Sequence, residues 1–121
     1  MTTELRVTRR LIDGAIVVSA VGDVDLTSAP DLETQVQSAL ADAQPPGPVV
    51  VDLSGVSFLG SIGLSLLVNA QQKCAENSLE LRIVATSRAV LRPLEVTRLD
   101  AQLRITSSLE EAVAPPATEA S

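Results

Sequence analysis

The pattern of apolar and polar residues predicts a strand hairpin followed by a helix at the start of the chain. Leu5 and Val7 begin an extended segment, and Asp13-Gly14 supplies the positive φ angles of a tight hairpin turn. Residues 15–21 are predicted to form the returning strand. The next apolar residues recur at the one-face spacing of a helix. They are Leu32, Val36, Ala39 and Leu40, and the helix start is marked by Thr27, Ser28, Pro30 and Asp31.

Further along the chain, strand and helix patterns alternate. Residues 49–53 form a continuous apolar run, which is typical of a central parallel strand buried on both faces. A turn is predicted over residues 54–60, and then a helix from about residue 62 to residue 76, with Asn77 as its left-handed cap. The later elements are a strand over residues 79–83 with a wetter face at Glu80 and Arg82, a helix capped by Ser87 that kinks or stops at Pro93, a short strand at Leu103 and Ile105, and a last helix with a Ser108 and Glu111 capping box.

The element order β-β-α-β-α-β-α-β-α implies an α/β fold with a mixed sheet. A chain of 121 residues fits one domain. We expect this domain to span residues 1–113 and to carry its helices mainly on one side of the sheet. Residues 114–121 are rich in Ala and Pro and show no periodicity, so this tail is expected to be unstructured.

Composition and charge narrow the classes of function. A net charge of −6 disfavours sequence-independent binding to nucleic acid and docking on anionic membranes. No apolar run approaches the roughly 18 residues of a membrane span, and the first residues lack the apolar block of a signal peptide. We therefore expect a cytoplasmic protein without a direct nucleic-acid or membrane partner. No pattern in the chain specifies an oligomeric state.

Catalytic chemistry is sparse in this sequence. The absence of histidine removes the usual imidazole base and the usual neutral metal ligand. Cys74 has no cysteine or histidine to work with and is predicted to be a small core residue. Gly55, Gly60 and Gly63 fit neither a phosphate-binding loop nor a dinucleotide fingerprint. The sequence thus predicts no enzyme activity, no cofactor and no metal site.

Ser61 occupies the junction between the predicted central strand and the helix that follows it. The first N–H groups of a helix lack partners and the helix dipole makes this end partly positive, so a serine here suits an added phosphate. Phosphorylation would add about −1.5 to −2 charge at one point. The simpler interpretation is a helix cap. Asp23, Asp25 and Asp52 either approach Ser61 at the same rim of the sheet or serve as turn residues.

The helix after Ser61 carries two apolar residues on an otherwise polar side. A rotation of about 100° per residue places Ile62 and Leu66 opposite the predicted core face. That core face comprises Leu64, Leu67, Val68, Gln71, Cys74 and Ala75. Either the preceding loop or the tail covers Ile62 and Leu66, or the two residues anchor a protein partner beside Ser61. In the second case a phosphate on Ser61 would block docking, because its charge has to be desolvated or placed against acids of the partner.

Two segments together resemble the bacterial anti-sigma factor antagonists of the STAS domain family. They are GDVDLTSAPDL, residues 22–32, and VVVDLSGVSFLGSIGLSLL, residues 49–67. In the family, the partner phosphorylates the serine that follows the aspartate of an Asp-Ser-Ser/Thr-Gly segment. Ser61 matches this serine, and Asp25 matches a family carboxylate at the same rim. Two positions depart from the pattern, since Gly60 replaces the family aspartate and Ile62 replaces the second hydroxyl residue.

The resemblance implies a STAS-like fold and a protein that, when unphosphorylated, binds an anti-sigma factor and so frees a sigma factor for transcription. Such anti-sigma factors are often ATP-binding serine kinases, so the nucleotide would belong to the partner. Gly60 and Ile62 motivate the alternative of a constitutive antagonist, and a second alternative is a STAS sensor that binds a small ligand or nucleotide at the same rim. The expected phosphorylation site is Ser61, and the expected partner-binding residues are Asp25, Gly60, Ser61, Ile62, Gly63 and Leu66.

Overall fold

A computed structural model describes residues 4–114, and its elements follow the predicted order with an additional 3-10 helix. The strands are β1 (Arg6–Ile12), β2 (Ala15–Val24), β3 (Val49–Leu59), β4 (Leu81–Val84) and β5 (Arg104–Thr106). The α-helices are α1 (Ala29–Asp42), α2 (Ser61–Glu76), α3 (Arg88–Val96) and α4 (Leu109–Val113), and the 3-10 helix spans Leu99–Ala101. Apart from Ala114, the predicted tail lies outside the described residues.

The strands form one mixed five-stranded sheet in the order β1-β2-β3-β4-β5. β1 and β2 are antiparallel and are joined by the predicted hairpin turn, in which Asp13 and Gly14 have φ angles of 52° and 85°. β2, β3, β4 and β5 pair in parallel, as strands joined by helical crossovers should. The predicted α/β fold with a mixed sheet is confirmed, and β3 is its central strand.

The two faces of the sheet are covered unequally. α1, α2 and α3 pack on one face, against a core that includes Val18, Val51 and Ile83. α4 packs on the other face, over Val17 and Val50. Because β3 contributes buried valines to both faces, its sequence is a continuous apolar run rather than an alternating one.

β3 continues beyond its apolar run to Leu59, so the turn predicted over residues 54–60 is wrong. β2 runs beside it as far as Val24, and the hydrogen bonds between two parallel strands outweigh the local turn preference of serine and glycine. The pairing of β2 with β3 has an irregular register along this segment. Gly22, with φ of 121°, lies within it, and a Cβ there would be 2.5 Å from the carbonyl oxygen of Glu4.

Two helix ends differ from the prediction. α3 is one helix through Pro93, which lies beyond its first turn. Pro93 has no N–H to donate to the carbonyl oxygen of Ala89, but Ala89 is exposed, so water can reach it. At the end of α2 the left-handed residue is Ser78, with φ of 58°, rather than Asn77. Both deviations are local and leave the order of elements unchanged.

The start of α2 lies unusually close to the ends of β3 and β2, because Gly63 has no side chain. A Cβ on Gly63 would lie 2.5 Å from Cδ1 of Leu59 and 3.0 Å from Cγ1 of Val24. Both of these side chains are buried and have little room to move. Gly63 therefore fixes the distance between helix and strands, and with it the position of Ser61.

Arg82 is buried, contrary to the wetter face predicted for it, because α4 covers that side of β4. Its side chain is 2% exposed, and its guanidinium donates to the carbonyl oxygens of Ala112, at 2.9 Å, and Ala114. It also donates to Oε1 of Glu80 at 3.0 Å, and the other carboxylate oxygen accepts from Arg104 at 2.9 Å. A buried cation thus satisfies carbonyls at the end of α4 that have no partner within the helix.

The predicted capping box at the start of α4 is confirmed in its main contact. The hydroxyl oxygen of Ser108 accepts from the backbone N–H of Glu111 at 3.1 Å. The Glu111 carboxylate accepts from the backbone N–H of Ser107 rather than that of Ser108. α4 is therefore fixed by side chains at both ends, which matters for a helix too short to be stable alone.

We expect Gly63→Ala to destabilise the fold. Alanine favours a helix over glycine by about 1 kcal/mol, whereas forcing an extra methyl group into a packed site costs about 1–3 kcal/mol. The free energy of unfolding, measured by urea denaturation, should fall by up to about 2 kcal/mol. Ser65→Ala, at an exposed position of α2, should leave it unchanged or slightly higher. Equal stabilities of the two variants would contradict the close approach at Gly63.

Arg82→Met should lower the free energy of unfolding by about 2 kcal/mol or more, because carbonyls at the end of α4 lose a charged donor. Arg104→Met is the matched control, since it removes the exposed partner of the same carboxylate and should cost about 0–1 kcal/mol. If the two variants unfold at the same urea concentration, the buried guanidinium does not hold α4.

The same pair gives the protein an acid-sensitive component of stability. The hydrogen bond from Arg82 is the largest cause that lowers the pKa of Glu80. Its stabilisation is therefore fully present above the ordinary glutamate pKa of about 4.3 and is lost as pH falls through the lowered pKa of the folded state. Urea titrations across this range should show a smaller decrease for Arg82→Met than for the wild type. Identical decreases would contradict the role of this pair.

Candidate partner-binding surface

Ser61 lies where β2 and β3 end side by side. The two strands remain paired to their last residues, Val24 and Leu59, and the backbone N–H of Gly60 donates to the carbonyl oxygen of Val24 at 3.0 Å. The loops that follow the two strands therefore start from the same point. We call residues 25–28 together with residues 58–62 the carboxyl edge.

The Ser61 side chain is exposed and does not cap its helix. Gly60 is the N-cap residue, with extended backbone angles, and its carbonyl oxygen accepts from the N–H groups of Gly63 and Leu64. Ser61 is instead the first residue of α2, so the interpretation of this serine as a helix cap is wrong. Its hydroxyl is presented to solvent at the partly positive end of the helix, and the first turn of α2 holds no acidic residue.

Two partly exposed apolar side chains flank Ser61. Ile62 is 37% exposed, as expected for a residue on the outer side of α2, and Phe58 is 51% exposed. A Cβ on Gly60 would lie 3.3 Å from a ring carbon of Phe58, so the ring occupies the space beside this glycine. Sequence analysis did not assign Phe58 to the site. The available signal was that the only aromatic residue of the chain lies three positions before the serine.

Leu66 is buried rather than on the outer side of α2, where it was predicted to lie, and Gly63 is buried as well, so neither residue is exposed to a partner in the free protein. Leu66 is 6% exposed and belongs to the main core. The buried stripe of α2 is Gly63, Leu66, Leu67, Ala70 and Cys74, whereas Ala75, which was predicted to face the core, is exposed. The stripe is rotated from the predicted arc because α2 packs against α1 as well as against the sheet. Gly63 acts on the surface only by positioning α2.

The Asp25 carboxylate is used within its own loop. Its Oδ1 accepts from the backbone N–H groups of Thr27 and Ser28, both at 3.0 Å. The hydrogen bond from the Ser28 N–H is the largest cause that lowers the pKa of Asp25 below its ordinary value. Asp25 therefore lies at the carboxyl edge as predicted, but the structure gives its carboxylate a role in shaping the loop.

Asp52 lies within β3, away from the carboxyl edge, and its Oδ1 accepts from the backbone N–H and the hydroxyl of Ser54 at 3.0 and 2.7 Å. Asp23 is paired in register with Phe58 and lies near the carboxyl edge. Cys74 is buried, as predicted, and burial raises the pKa of its thiol to about 11, which disfavours the reactive thiolate.

Leu26 is a surface feature that sequence analysis missed. It lies between Asp25 and Thr27 at the carboxyl edge and is 79% exposed. The signal in the sequence was a single leucine within the polar segment that joins the strand to the start of the helix. Exposed apolar residues at one edge of a domain are typical of protein-binding surfaces.

A groove of about 500 Å³ beside this loop is lined by acidic side chains, including Glu4, Asp23 and Asp31. Carboxylates repel phosphate, so this groove does not favour the alternative of a nucleotide sensor. Within residues 4–114, no cluster of three or more His, Cys, Asp or Glu residues has the arrangement needed to hold a metal ion. Over the same range, no helix is both long and apolar enough to cross a membrane.

Comparison with known proteins places the chain in a family. Its sequence matches the STAS domain over residues 6–112. It is 36% identical over 101 residues to the anti-sigma-F factor antagonist RsfB of Mycobacterium tuberculosis, which covers 84% of this chain and 80% of RsfB. The crystal structure of an anti-sigma factor antagonist from Mycobacterium paratuberculosis superposes with a TM-score of 0.83 at 34% identity, covering 90% of this chain and 91% of that one.

The fold is also shared with a more distant protein. The anti-sigma factor antagonist SpoIIAA, in its unphosphorylated form, superposes with a TM-score of 0.67 at 12% identity and covers 88% of this chain and 93% of that one. The family match extends from the first strand to the last helix and includes the whole carboxyl edge. The chain therefore belongs to the STAS domain family.

Proposed function

We propose that this protein is an anti-sigma factor antagonist, which binds an anti-sigma factor through the carboxyl edge and so frees a sigma factor for transcription. The observation that carries the proposal is that Ser61 is exposed at the carboxyl edge, which also holds the partly exposed side chains of Ile62 and Phe58. The names of the relatives and the resemblance of residues 22–32 and 49–67 to the antagonist pattern support it. The protein acts as a ligand of its partner and not as an enzyme.

Phosphorylation of Ser61 is the proposed control of binding. The partner is an anti-sigma factor that is also an ATP-binding serine kinase, so ATP binds to the partner and this chain is its substrate in the cytoplasm. Ser61 is exposed and its hydroxyl is not needed as a helix cap, so a phosphate could be added without breaking a capping bond. Within an interface formed by Ile62 and Phe58, the added charge would have to be desolvated. Binding is lost while the fold remains intact.

The glycine at position 60 weakens the case for phosphorylation of Ser61 but not the case for binding. With glycine before Ser61, the acceptor lacks the neighbouring carboxylate of the family pattern, and the ring of Phe58 fills part of that space. A kinase that recognises an acid at this position would phosphorylate Ser61 slowly. In the limit of no phosphorylation, the protein is a constitutive antagonist with the same docking surface.

Ser61→Asp should weaken binding to the cognate anti-sigma factor by about tenfold or more, because a charge must be desolvated in the interface. Ser61→Ala should bind as the wild type does. Calorimetry with each purified anti-sigma factor of the source organism measures both affinities. Mass spectrometry after incubation with the kinase partner and ATP tests the phosphate on Ser61 directly. Equal affinities of the two variants would contradict control of binding by phosphorylation. If no phosphate is added to Ser61, the protein is a constitutive antagonist.

Ile62→Ser should also weaken binding, by about tenfold, without loss of stability, because the side chain is partly exposed in the free protein and would be buried in the complex. Leu11→Ser is the matched control, since Leu11 is exposed and lies on β1 near the hairpin turn, at the opposite edge of the sheet. A loss of affinity in the control alone would place the interface elsewhere.

A further inference from the structure

The loop between β2 and α1 is closed by reciprocal hydrogen bonds between Asp25 and Ser28. The Ser28 hydroxyl oxygen accepts from the backbone N–H of Asp25 at 3.0 Å and donates to the carbonyl oxygen of Asp23 at 2.7 Å. The backbone N–H of Ala29 donates to the carbonyl oxygen of Asp25 at 2.8 Å. Together with the bonds that the Asp25 carboxylate accepts from Thr27 and Ser28, these contacts fix the backbone on both sides of Leu26.

Leu26 is held outward by this loop. Asp25 and Ser28 direct their polar atoms into the loop, whereas Leu26, between them, is the most exposed of the large apolar residues described. An apolar side chain in water costs free energy that is recovered when a partner covers it. A rigid loop loses little conformational entropy on binding, so more of this gain appears as affinity.

Leu26 is tied to the region of Ser61 through the backbone. Val24, two residues before Leu26, accepts a hydrogen bond from the N–H of Gly60, two residues before Ile62. The two loops begin at this single bond, on adjacent parallel strands. A partner that covers Ile62 and Phe58 therefore meets Leu26 on the same edge of the sheet.

The charge around Leu26 indicates the kind of surface that fits it. The adjacent groove is lined by Glu4, Asp23 and Asp31 as well as Asp25, and among residues 4–114 no lysine or arginine lines it. The whole chain is also acidic, with a net charge of −6. A complementary protein surface would carry basic side chains here, which also speeds association.

We propose that Leu26 is a second anchor of the carboxyl edge, which inserts into an apolar pocket of the anti-sigma factor bordered by arginine or lysine side chains. Asp25 and Ser28 are positioning residues for it. This inference rests on the proposed function, and it changes the role of Asp25 from a direct contact to a support of the loop.

The test compares variants of the full chain in binding to the purified cognate anti-sigma factor by surface plasmon resonance. Leu26→Ser should weaken binding by about tenfold or more, mainly through faster dissociation, and Leu26→Met should restore most of the affinity. Leu11→Ser is the control for removal of an exposed apolar side chain. All three should unfold at the same temperature as the wild type, because both residues are exposed.

A second pair of variants tests the charge of the partner surface. Asp31→Asn should slow association and reduce its dependence on salt, because Asp31 lines the groove beside Leu26. Glu33→Gln removes the same charge from an exposed position of α1 that does not line the groove, and it should have a smaller effect. Equal effects of the two variants would contradict the proposal that arginine or lysine side chains border the pocket of the partner.

The outcomes separate this inference from the proposed function. If the wild type binds and Ile62→Ser binds weakly, but Leu26→Ser binds as the wild type does, Leu26 is not an anchor and the antagonist function stands. If the wild type binds none of the anti-sigma factors, the proposed function fails and this inference fails with it. Weaker binding by Leu26→Ser, with recovery in Leu26→Met, supports the anchor.

Discussion

The parallel pairing of β2 with β3 continues to the last residue of both strands, and the candidate surface depends on this pairing. Val24 pairs with Leu59, and its carbonyl oxygen accepts the N–H of Gly60. Two loops that are distant in sequence therefore leave the sheet at one point. Gly63 completes the arrangement, because α2 can approach the strand ends closely only without a side chain there. The exposure of Ser61 follows from these main-chain contacts.

Most of the fold could be predicted from the sequence because its signals are local. The hairpin at Asp13-Gly14, the apolar run of β3 and the capping box at Ser108 each need only a few neighbouring residues to specify them. The length of β3 and the rotation of α2 could not be predicted in this way. They depend on β2 and α1, which are neighbours only in the folded chain, and the error at Leu66 has this origin.

Polar residues at the candidate surface were harder to interpret than the fold. Asp25 looked like a partner contact, yet its carboxylate accepts hydrogen bonds from its own loop. Arg82 looked solvated, yet it is buried beneath α4. A charged side chain with satisfied hydrogen bonds gains little from a partner, whereas an exposed leucine gains from being covered. Exposure of apolar residues, which only the structure provides, therefore identified Leu26 and Phe58.

The replacement of an acid by Gly60 changes the electrostatics of the proposed switch. The first turn of α2 holds no carboxylate, so the partial positive charge at the start of the helix is not neutralised. A phosphate on Ser61 would gain about 0.3–1 kcal/mol from this helix end in the free protein. In the complex it would have to be desolvated beside Ile62 and Phe58. The helix end acts on the phosphate in the free protein and in the complex alike, so it is the desolvation cost that would favour the free state of the phosphorylated protein. In this proposal binding is switched without any change in the fold.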